Sequence, residues 1–585
     1  MKKQFYILLT AILAGFSSCS KKPDYAQIQG WNILSDSYED ALVTIAAAKD
    51  YHINHLQLSH SIVMDLREVK EKEKQELVND LTEKAHRAGI AEVVAWDHAL
   101  YKLDYYPDEF KTGPNNTIDL DNPAFWTWFK NDYREMLNLV PQIDGLVLTF
   151  IETGARAENQ FSQTLKTGPE KLAAVVDAVA DVVCTEYRKK LYIRTFAYTD
   201  AEYENTIGCI NHIQNQEVIL MMKETPHDFF LTHPNDQYAG TIKRPTIIEF
   251  DTGNEFNGQG IIANTWPEYV LNRWSKYARL PNIIGYVART DRYRDTRLVG
   301  TPNEILLYAL KRYTADTTVT AENIYDEFLA NKYGQAAVPL VKPAFKLAFD
   351  IVTSTLYTLG TNTANHSSLN YDPYKSSYAR HVSGKWLNPP VVYVNHKVNR
   401  EFHYWKEVVE QLAPARFKTS DGPILTEAPF VIRNSWVTDR ECMTEEYLRY
   451  VMTEKAYGVE QAEKALELIR QAQNTLSPDN YNTLHTLFER TLLTARLHEA
   501  TAAAYWGYRI YARGEAFQTP WLNETITQAL ERLKTASAAV EQYEKPTPVG
   551  QWKWHSDARK ANEYYELITS GWSEYNNVKF PLAAE

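Results

Sequence analysis

The sequence predicts a TIM-type (β/α)8 barrel followed by an all-helical C-terminal domain. The chain has 585 residues, and one barrel of about 250–300 residues with an appended domain fits that length. Up to about residue 315, short apolar runs alternate with segments of helical periodicity, which is typical of parallel βα units. From about residue 320 onward the pattern is mainly helical, and we see no internal repeat.

Eight short runs predict the strands of the barrel, and helical segments separate most of them. The runs are WNILS (31–35), HLQLSH (55–60), AEVVAW (91–96), GLVLTFIE (145–152), LYIRTFAY (191–198), VILMMK (218–223), PTIIEFD (245–251) and NIIGYVA (282–288). Nearly continuous apolar runs indicate strands that are buried on both faces. Right-handed crossovers between them favour a closed barrel. An open doubly wound sheet is the alternative, but no G-x-G-x-x-G motif follows the first run.

Capping residues and periodicity mark the helices. Asn122 and Pro123 open one helix, as an N-cap followed by proline in the first turn. Thr320 opens the first helix of the C-terminal domain, and Gly334 follows its end. We expect a loop between the sixth and seventh strands, and an irregular stretch rich in Tyr, His, Trp and Pro over 360–400. The other clear helical segments are EDALVTIAAAKDY after the first strand, 71–88, the helix that starts at Pro169, 267–277, 303–313, 443–475 and 479–513.

The first nineteen residues predict an export signal and a lipid anchor. Lys2 and Lys3 precede an apolar stretch from Phe5 to Phe16, which is too short to span a bilayer and fits a secretory signal. The Ser-Ser-Cys ending resembles a bacterial lipoprotein signal, in which Cys19 becomes the lipidated first residue. An ordinary cleaved signal with an incidental cysteine is the alternative. With lipidation, the protein is exported and anchored to the bacterial cell envelope, at the outer membrane on its periplasmic or surface face.

These patterns divide the chain into four parts. They are a signal peptide (1–18), a spacer (19–29), the barrel (30–315) and a helical domain (316–585). The irregular stretch inside the helical domain is expected to face the active site of the barrel.

Composition and charge argue against a nucleic-acid partner and against a disulfide-rich fold. Acidic residues outnumber basic ones by 74 to 62, the formal net charge is −12, and no long basic run is present. Because nucleic-acid binders normally carry a basic stripe, we expect no nucleic-acid partner. The four cysteines cannot supply a disulfide framework. The 38 Tyr and 14 Trp suit both a core and the stacking of aromatic rings on sugars.

The carboxyl ends of the barrel strands, where barrel enzymes place their chemistry, carry many ionisable residues. In chain order they are His60, Asp97, His98, Glu152, Arg194, Tyr198, Lys223, Asp228, Glu249, Asp251, Glu255, Arg289, Asp291 and Arg292. Three carboxylates, Glu152, Asp228 and Glu255, are expected to converge on one rim. Glycosidic cleavage needs such a set, because one carboxyl donates a proton while another, ionised, activates water or attacks carbon. Taken singly, each also fits a solvated loop, and Glu249 and Asp251 also fit the barrel interior.

Other chemistries find less support. His52, His55 and His60 lack the i, i+4 spacing of a helical zinc site and straddle a strand. The chain has no G-x-S-x-G nucleophile elbow and no P-loop. We therefore predict neither a metal nor a cofactor.

Two segments carry a specific resemblance. VILMMKETPHDF contains Lys223 and Asp228, and Glu255 follows 27 residues after Asp228 in EFDTGNEFNGQG. The pair resembles the Lys-x-x-Pro-x-Asp-Phe and Glu-Phe…Gln-Glu-Tyr-x-Gly-Gln segments of the family 67 glycoside hydrolases. These are α-glucuronidases that remove glucuronic acid from xylan-derived oligosaccharides. DGLVLTFIETG, IRTFAY and NIIGYVARTD are also similar to the family, and the similarity covers roughly residues 140–410.

The resemblance implies a role for the rim residues. Glu152 would be the general acid, and Asp228 and Glu255 would position and deprotonate water in an inverting reaction. Arg194 and Lys223 would face the carboxylate of a uronic acid. Further candidates for substrate binding are Tyr198, His60, Asp97, Arg289 and, in the segment YVNH, His396. That segment is similar to a family loop that returns to the active site, and packing against the barrel is its alternative.

Two departures from the family pattern leave the sugar open. The family has a lysine four residues before its acid, and Leu148 stands there in this chain. Uronate affinity would then need another cation, such as Arg156 or Arg289. The first strand begins about a dozen residues after Cys19, so the family's N-terminal β-rich domain is missing.

We therefore predict a glycoside hydrolase, similar to an inverting α-glucuronidase, that removes a terminal sugar from a plant or other complex glycan. The sugar is expected to be a uronic acid. The expected partners are an oligosaccharide or polysaccharide, a membrane only through the N-terminal lipid, and a second copy through the helical domain. A tethered barrel that binds glycan without cutting it is the other hypothesis. A binding protein has no physical need to keep Glu152, Asp228 and Glu255 together, which favours catalysis.

Overall fold

The structure confirms the predicted barrel with a helical region after it. It is a computed structural model, and every statement below about contacts or absences concerns the residues that it describes. These are residues 24–197, 200–225, 228–231, 235–236, 238–358, 361–362, 364–365, 367–369, 418–419, 422–423, 445–545, 547–548, 550–573 and 576–582.

Eight parallel strands form a closed barrel in sequence order. They are β1 (Ile28–Ile33), β2 (His55–Leu58), β3 (Glu92–His98), β4 (Gly145–Thr149), β5 (Lys190–Arg194), β6 (Ile219–Lys223), β7 (Thr246–Phe250) and β8 (Ile283–Arg289). β1 pairs with β8, with Ile28 beside Gly285, and this pairing closes the ring. Each of the eight predicted runs overlaps one strand, and β1 begins three residues before its run. β4 ends earlier than predicted, so Glu152 lies on the loop after it.

Helices connect most of the strands. They are α1 (Tyr38–Ala47), α2 (Lys72–Arg87), α3 (Pro123–Leu139), α4 (Gly168–Ala180), α5 (Asp200–Cys209), α6 (Pro267–Tyr277) and α7 (Ile305–Ala315). The predicted N-cap of α3 is confirmed, because the Asn122 side chain accepts a hydrogen bond from Ala124 N at 2.9 Å. No helix lies between β6 and β7 in the parts of that connection that the structure describes, as expected.

The region after the barrel is helical, as predicted. It contains α8 (Ala321–Tyr333), α9 (Val338–Leu356), α10 (Glu445–Gln471), α11 (Pro478–Tyr511), α12 (Pro520–Glu541) and α13 (Gly550–Ser570). Thr320 forms a reciprocal capping box with Asn323 at the start of α8, and Gly334 follows the helix. α10 packs against both α9 and α11. Within the described ranges, no helix combines the length and apolarity that a membrane crossing needs. The domain bounds stay a prediction.

Alternate strand residues face the interior of the barrel. Side chains along a strand point to opposite sides with a period of two. The inward set forms a separate apolar cluster of Val94, Trp96, Val147, Tyr192, Ile219, Met221, Ile247 and Val287. Their neighbours in the strands pack outward against the helices, as Leu148 does. This parity decides which rim residues point into the mouth of the barrel.

A buried polar network occupies the interior below the mouth. Glu92 Oε1 lies 2.9 Å from His55 Nδ1 and accepts a hydrogen bond from Tyr192 Oη at 2.6 Å. Gln57 Nε2 lies 3.1 Å from His55 Nε2, and Gln57 Oε1 accepts from Trp96 Nε1 at 3.1 Å. His55 is therefore a hydrogen-bonded core residue.

Candidate active site

The carboxyl ends of β5 to β8 place four charged side chains at the mouth. Arg194, Lys223 and Arg289 end their strands, and Glu249 lies one residue before the end of β7. Each stands two residues after a member of the inward apolar cluster, so strand parity turns all four inward. All four are buried, with at most 3% of the residue exposed. Buried charges need partners, and the mouth supplies them.

Glu249 joins two of the arginines. Its Oε2 accepts from Arg194 Nε at 2.6 Å, and its Oε1 accepts from Arg289 Nε at 3.1 Å. Burial opposes ionisation, but Arg194 and Arg289 together hold the pKa of Glu249 below its usual value. Glu249 is therefore a shared counterion that orients both guanidinium groups.

Two arginines also hold Glu255. Its Oε2 accepts from Arg289 Nη1 at 2.6 Å, and its Oε1 lies 2.9 Å from Arg292 Nη2. The backbone N–H of Glu255 donates to Asp251 Oδ2 at 2.8 Å. Burial and the nearby Glu255 and Glu224 raise the pKa of Asp251 well above its usual value. Asp251 therefore favours its protonated form, while the ion pairs of Glu255 stabilise its carboxylate.

Asp228 is paired with the lysine of the preceding strand. Lys223 Nζ donates to Asp228 Oδ1 at 2.6 Å. Phe229 lies beside both cations of this part of the mouth, since its ring centroid is 4.2 Å from Lys223 Nζ and 4.6 Å from the guanidinium carbon of Arg289. Burial acts against the charge of Arg289, yet the neighbouring carboxylates, with Asp228 among them, raise its pKa. The structure thus brings Asp228 and Glu255 to one cluster of cations.

A glycine allows the β7 loop to approach β8 closely. A Cβ on Gly253 would lie 2.4 Å from the backbone oxygen of Asp291, so a larger residue would force these loops apart. The Asp291 carboxylate accepts from Leu34 N at 2.8 Å and Ser35 N at 3.0 Å. Asp291 therefore holds the end of β8 against the loop after β1. The close approach at Gly253 keeps Glu255 beside the end of β8.

Glu152 lies three residues beyond β4, on the same rim, and is exposed. Its φ is 65°, in the left-handed region that non-glycine residues rarely adopt. His60, Asn254 and Gln259 have φ values of 51°, 61° and 49° on the loops after β2 and β7. Strained backbone of this kind concentrates at functional sites, and here it borders the mouth.

His60 contributes a neutral ring to the mouth. Its Nδ1 lies 2.9 Å from Ser59 Oγ, and its ring centroid is 4.8 Å from that of Trp96. Burial, followed by Arg292 and Arg289, holds the pKa of His60 well below its usual range. An uncharged imidazole suits hydrogen bonding to a sugar hydroxyl.

Asp97 does not point into the mouth, which corrects its predicted substrate contact. Strand parity turns it outward, where its Oδ1 accepts from Arg67 Nη1 at 3.1 Å and its Oδ2 accepts from Tyr133 Oη at 2.6 Å. Burial and the nearby Asp65 raise the pKa of Asp97 to about 7. Asp97 is thus part of the layer between barrel and helices. His98, the last residue of β3, is also buried, and its Nδ1 lies 3.4 Å from Asp65 Oδ2.

Leu148, at the position of the family's lysine, points away from the mouth. Leu148 is fully buried in the outer core, so a lysine there would point away from the mouth. Arg156, one suggested replacement, pairs instead with Glu158 at 2.6 Å and with Glu202 at 3.1 Å. Of the two suggested replacements, Arg289 is the one that lies in the mouth.

Three predicted residues cannot be placed, and one rim residue has a partner that was not predicted. Tyr198, His396 and Cys19 lie outside the described residues, so their predicted roles stay predictions. Arg292 was among the ionisable residues at the rim, but its pairing with Glu255 was not predicted. Its place three residues after β8 is the signal that could have indicated it. In the part of the chain that the structure describes, no group of three or more His, Cys, Asp or Glu side chains is placed to hold a metal ion.

The fold of this chain is similar to those of solved glycoside hydrolase structures. No protein-family model and no curated protein matches the chain. One similar solved structure is that of a GH138 enzyme targeting pectin rhamnogalacturonan II. The two are 12% identical with a TM-score of 0.60, over 94% of this chain and 68% of that chain. Another is that of a GH115 4-O-methyl-α-glucuronidase with specificity for decorated arabinogalactans, at 10% identity and a TM-score of 0.45, over 95% and 62%. The first of these similarities shows that this chain shares the fold of a glycoside hydrolase.

Proposed function

We propose that the chain is an inverting glycoside hydrolase that removes a terminal uronic acid from a complex glycan. The observation that carries this proposal is the pairing of Asp228 with Lys223 and of Glu255 with Arg289 at one mouth. Two carboxylates on neighbouring loops, each held by a buried cation, suit the positioning and deprotonation of a water molecule. The shared fold with a pectin-targeting glycoside hydrolase supports the class of reaction.

The acid in this proposal is Glu152. It lies on the loop after β4, while Asp228 and Glu255 follow β6 and β7, so the two sides of the mouth supply different groups. Glu152 is exposed, so it is accessible to the oxygen of a leaving group and to solvent, from which it can recover its proton. Inversion needs this division, with acid and base on opposite faces of the sugar ring.

Charge favours an anionic sugar. Four buried or nearly buried cations face the mouth: Arg194, Lys223, Arg289 and Arg292. Their partners here are the carboxylates of Asp228, Glu249 and Glu255, while burial and the neighbouring carboxylates raise the pKa of Asp251. Cations gathered in this way suit a uronate carboxylate as a further partner.

Sugar release from a panel of glycans tests the proposal. The panel holds glucuronoxylan fragments, pectic and sulfated oligosaccharides, and neutral counterparts of the uronic-acid substrates. We expect the wild-type protein to release a uronic acid from one of them and to act far less on its neutral counterpart. Glu152→Gln keeps the shape of the side chain but has no acidic proton to give to the leaving group, and it is expected to lose this activity.

The glycan-binding alternative makes a different prediction for the same panel. A tethered binding protein would release nothing, and would bind one glycan equally well as wild type and as Glu152→Gln. Release from a neutral glycan alone would keep the hydrolase and overturn the uronate. The lipid anchor on Cys19 and pairing of two copies through the helical region remain proposals from the sequence.

Lys223 gives the proposed affinity a pH dependence. Burial lowers the pKa of Lys223 to about 8, although Asp228 acts in the opposite direction. Above that pH the ammonium loses its proton, and with it the attraction for a uronate. We expect KM for an anionic substrate to rise about tenfold between pH 7 and pH 9, because about a tenth of the lysine stays charged there.

Lys223→Arg is the matched variant for this pH profile, because a guanidinium stays charged throughout the range. Its KM should change little between pH 7 and pH 9, whatever its absolute activity. A wild-type KM that stays flat up to pH 9 would contradict the role of Lys223 in holding the substrate anion.

A further inference from the structure

The loop that carries Asp228 lacks the usual support of a barrel loop. In a βα unit the helix after the strand fixes the loop, but no helix is found between β6 and β7 in the described parts of that connection. Asp228 lies five residues after the end of β6. Lys223 pairs with the Asp228 side chain, and contacts from elsewhere in the chain support the backbone that follows.

One buried hydroxyl from the helical region contacts both carboxylate loops. Tyr357 directly follows α9 and is fully buried. Its Oη accepts from Leu231 N at 2.9 Å and donates to Asn257 Oδ1 at 3.0 Å. Leu231 is three residues after Asp228, and Asn257 is two residues after Glu255. A single side chain thus links the backbone of one loop to a side chain of the other.

Tyr357 is itself held firmly. Lys455, on α10, is 2% exposed, and its Nζ donates to the backbone oxygens of Tyr357, of Ser354 at 2.8 Å and of Thr355 at 3.2 Å. These are carbonyl groups at the end of α9, which have no partner within the helix. A buried ammonium on a packed helix therefore fixes the point from which Tyr357 reaches the loops.

A second contact from the same segment acts on Glu255. Ser367 Oγ donates to the backbone oxygen of Glu255 at 2.8 Å and accepts from Gly258 N at 2.7 Å. Between the loops, the rings of Phe230 and Phe256 lie 4.3 Å apart. The helical region thus holds the β7 loop at two points and joins it to the β6 loop through Tyr357.

We propose that Tyr357 is a positioning residue that sets the spacing between Asp228 and Glu255. It does not touch the reacting atoms, and it acts by holding Leu231 and Asn257 in register. The inference rests on the proposed function, since it assumes that these carboxylates share one water molecule. In this view the helical region is part of the catalytic apparatus, because it supplies the link that a helix after β6 would otherwise make.

Tyr357→Phe tests the proposal by removing only the hydroxyl. We expect kcat for the released sugar to fall by up to about 10²-fold, as a misplacement of about 1 Å can cause. KM should change by less than about threefold in the same experiment, since the cations that bind the substrate remain. Asn257→Ala should produce a similar fall in kcat, and the double variant should be no worse than either single variant, because both remove one link.

Tyr508→Phe is the matched control. Tyr508 is also fully buried in the helical region, and its Oη donates to Val578 O at 2.7 Å. It should lose comparable thermal stability and keep wild-type kcat. Equal kcat in Tyr357→Phe and Tyr508→Phe would overturn the positioning role, and so would additive losses in the double variant.

Hydrogen exchange separates this inference from the proposed function. Tyr357→Phe should speed amide exchange in peptides that cover 228–231 and 255–258, and Tyr508→Phe should not. If the wild-type protein releases no sugar, the proposed function fails, and faster exchange in both loops still supports the link. Unchanged exchange in both loops would overturn the link itself.

Discussion

Glu255→Gln is expected to lower kcat by about 10²–10⁴-fold, the usual contribution of a positioned acid or base. An amide has nearly the same shape as the carboxylate but cannot accept a proton from water. The substitution also removes the negative charge that pairs with Arg289 Nη1, 2.6 Å from Glu255 Oε2, and with Arg292 Nη2, 2.9 Å from Glu255 Oε1. The fall should appear in kcat on the best substrate of the panel, measured by initial rates of sugar release.

Glu327→Gln is the control for this loss. Glu327 also accepts from an arginine, Arg312, at 2.6 Å and 3.0 Å, but it lies on α8 away from the mouth. This variant should keep wild-type kcat. Wild-type activity in Glu255→Gln would remove Glu255 from the mechanism.

Arg289→Met should lower the free energy of unfolding by about 3–5 kcal/mol, the cost of removing one partner of a buried ion pair. The methionine fills much of the space of the arginine stem but leaves Glu249 and Glu255 without the cation that joins them. Both carboxylates are nearly fully buried, so bulk solvent compensates little for the lost partner. Urea unfolding of the variant and the wild type at pH 7 measures the difference.

The sign of the pH dependence follows from Glu249. Its pKa is lowered in the folded wild type, so its stabilising contribution is present above the unfolded pKa and is lost as pH falls. Without Arg289 this contribution is reduced, and the difference between variant and wild type should shrink as pH falls below about 4.3, the ordinary glutamate value, and through the lowered pKa of Glu249. Arg312→Met, at a partly exposed pair, should cost only about 0–1 kcal/mol. Equal losses at both arginines would contradict a special role for the cluster at the mouth.

The barrel could be predicted because its strands are short and buried on both faces. A run such as GLVLTFIE indicates a strand without knowledge of its neighbours, since burial on both faces excludes most polar residues. The end of the strand was less certain, because Phe150 and Ile151 are as apolar as the strand and both are buried. Glu152 was therefore placed in β4, when it belongs to the loop that follows.

The rim residues were predicted as a set, but their directions were not. Arg194, Lys223 and Arg289 were recognised by their place at strand ends, and strand parity turns them inward. The same parity turns Asp97 outward to Arg67 and Tyr133. A one-residue difference in register moves a side chain from the mouth to the layer under the helices, and the sequence alone does not state the register.

Contacts between distant segments were beyond the sequence. Tyr357 reaches Leu231 across 126 positions and Asn257 across 100. The segment TLYTLG (355–360) resembles a family loop that returns to the active site, but nothing in it indicates these two partners. The pairing of Arg292 with Glu255 likewise depends on how closely the β7 and β8 loops approach at Gly253. Such links follow from the closed barrel and the helices that pack on it.

Sugar release by four proteins in one assay tests the proposed mechanism most directly. Wild type, Glu152→Gln, Asp228→Asn and Glu255→Gln would be compared on the same panel of uronic-acid oligosaccharides, with folding verified by circular dichroism. We expect release of a uronic acid by the wild type and a loss of at least about 10²-fold in each folded variant. Release that persists at the wild-type rate in all three variants, or no release by the wild type, would contradict a hydrolytic site built on these carboxylates.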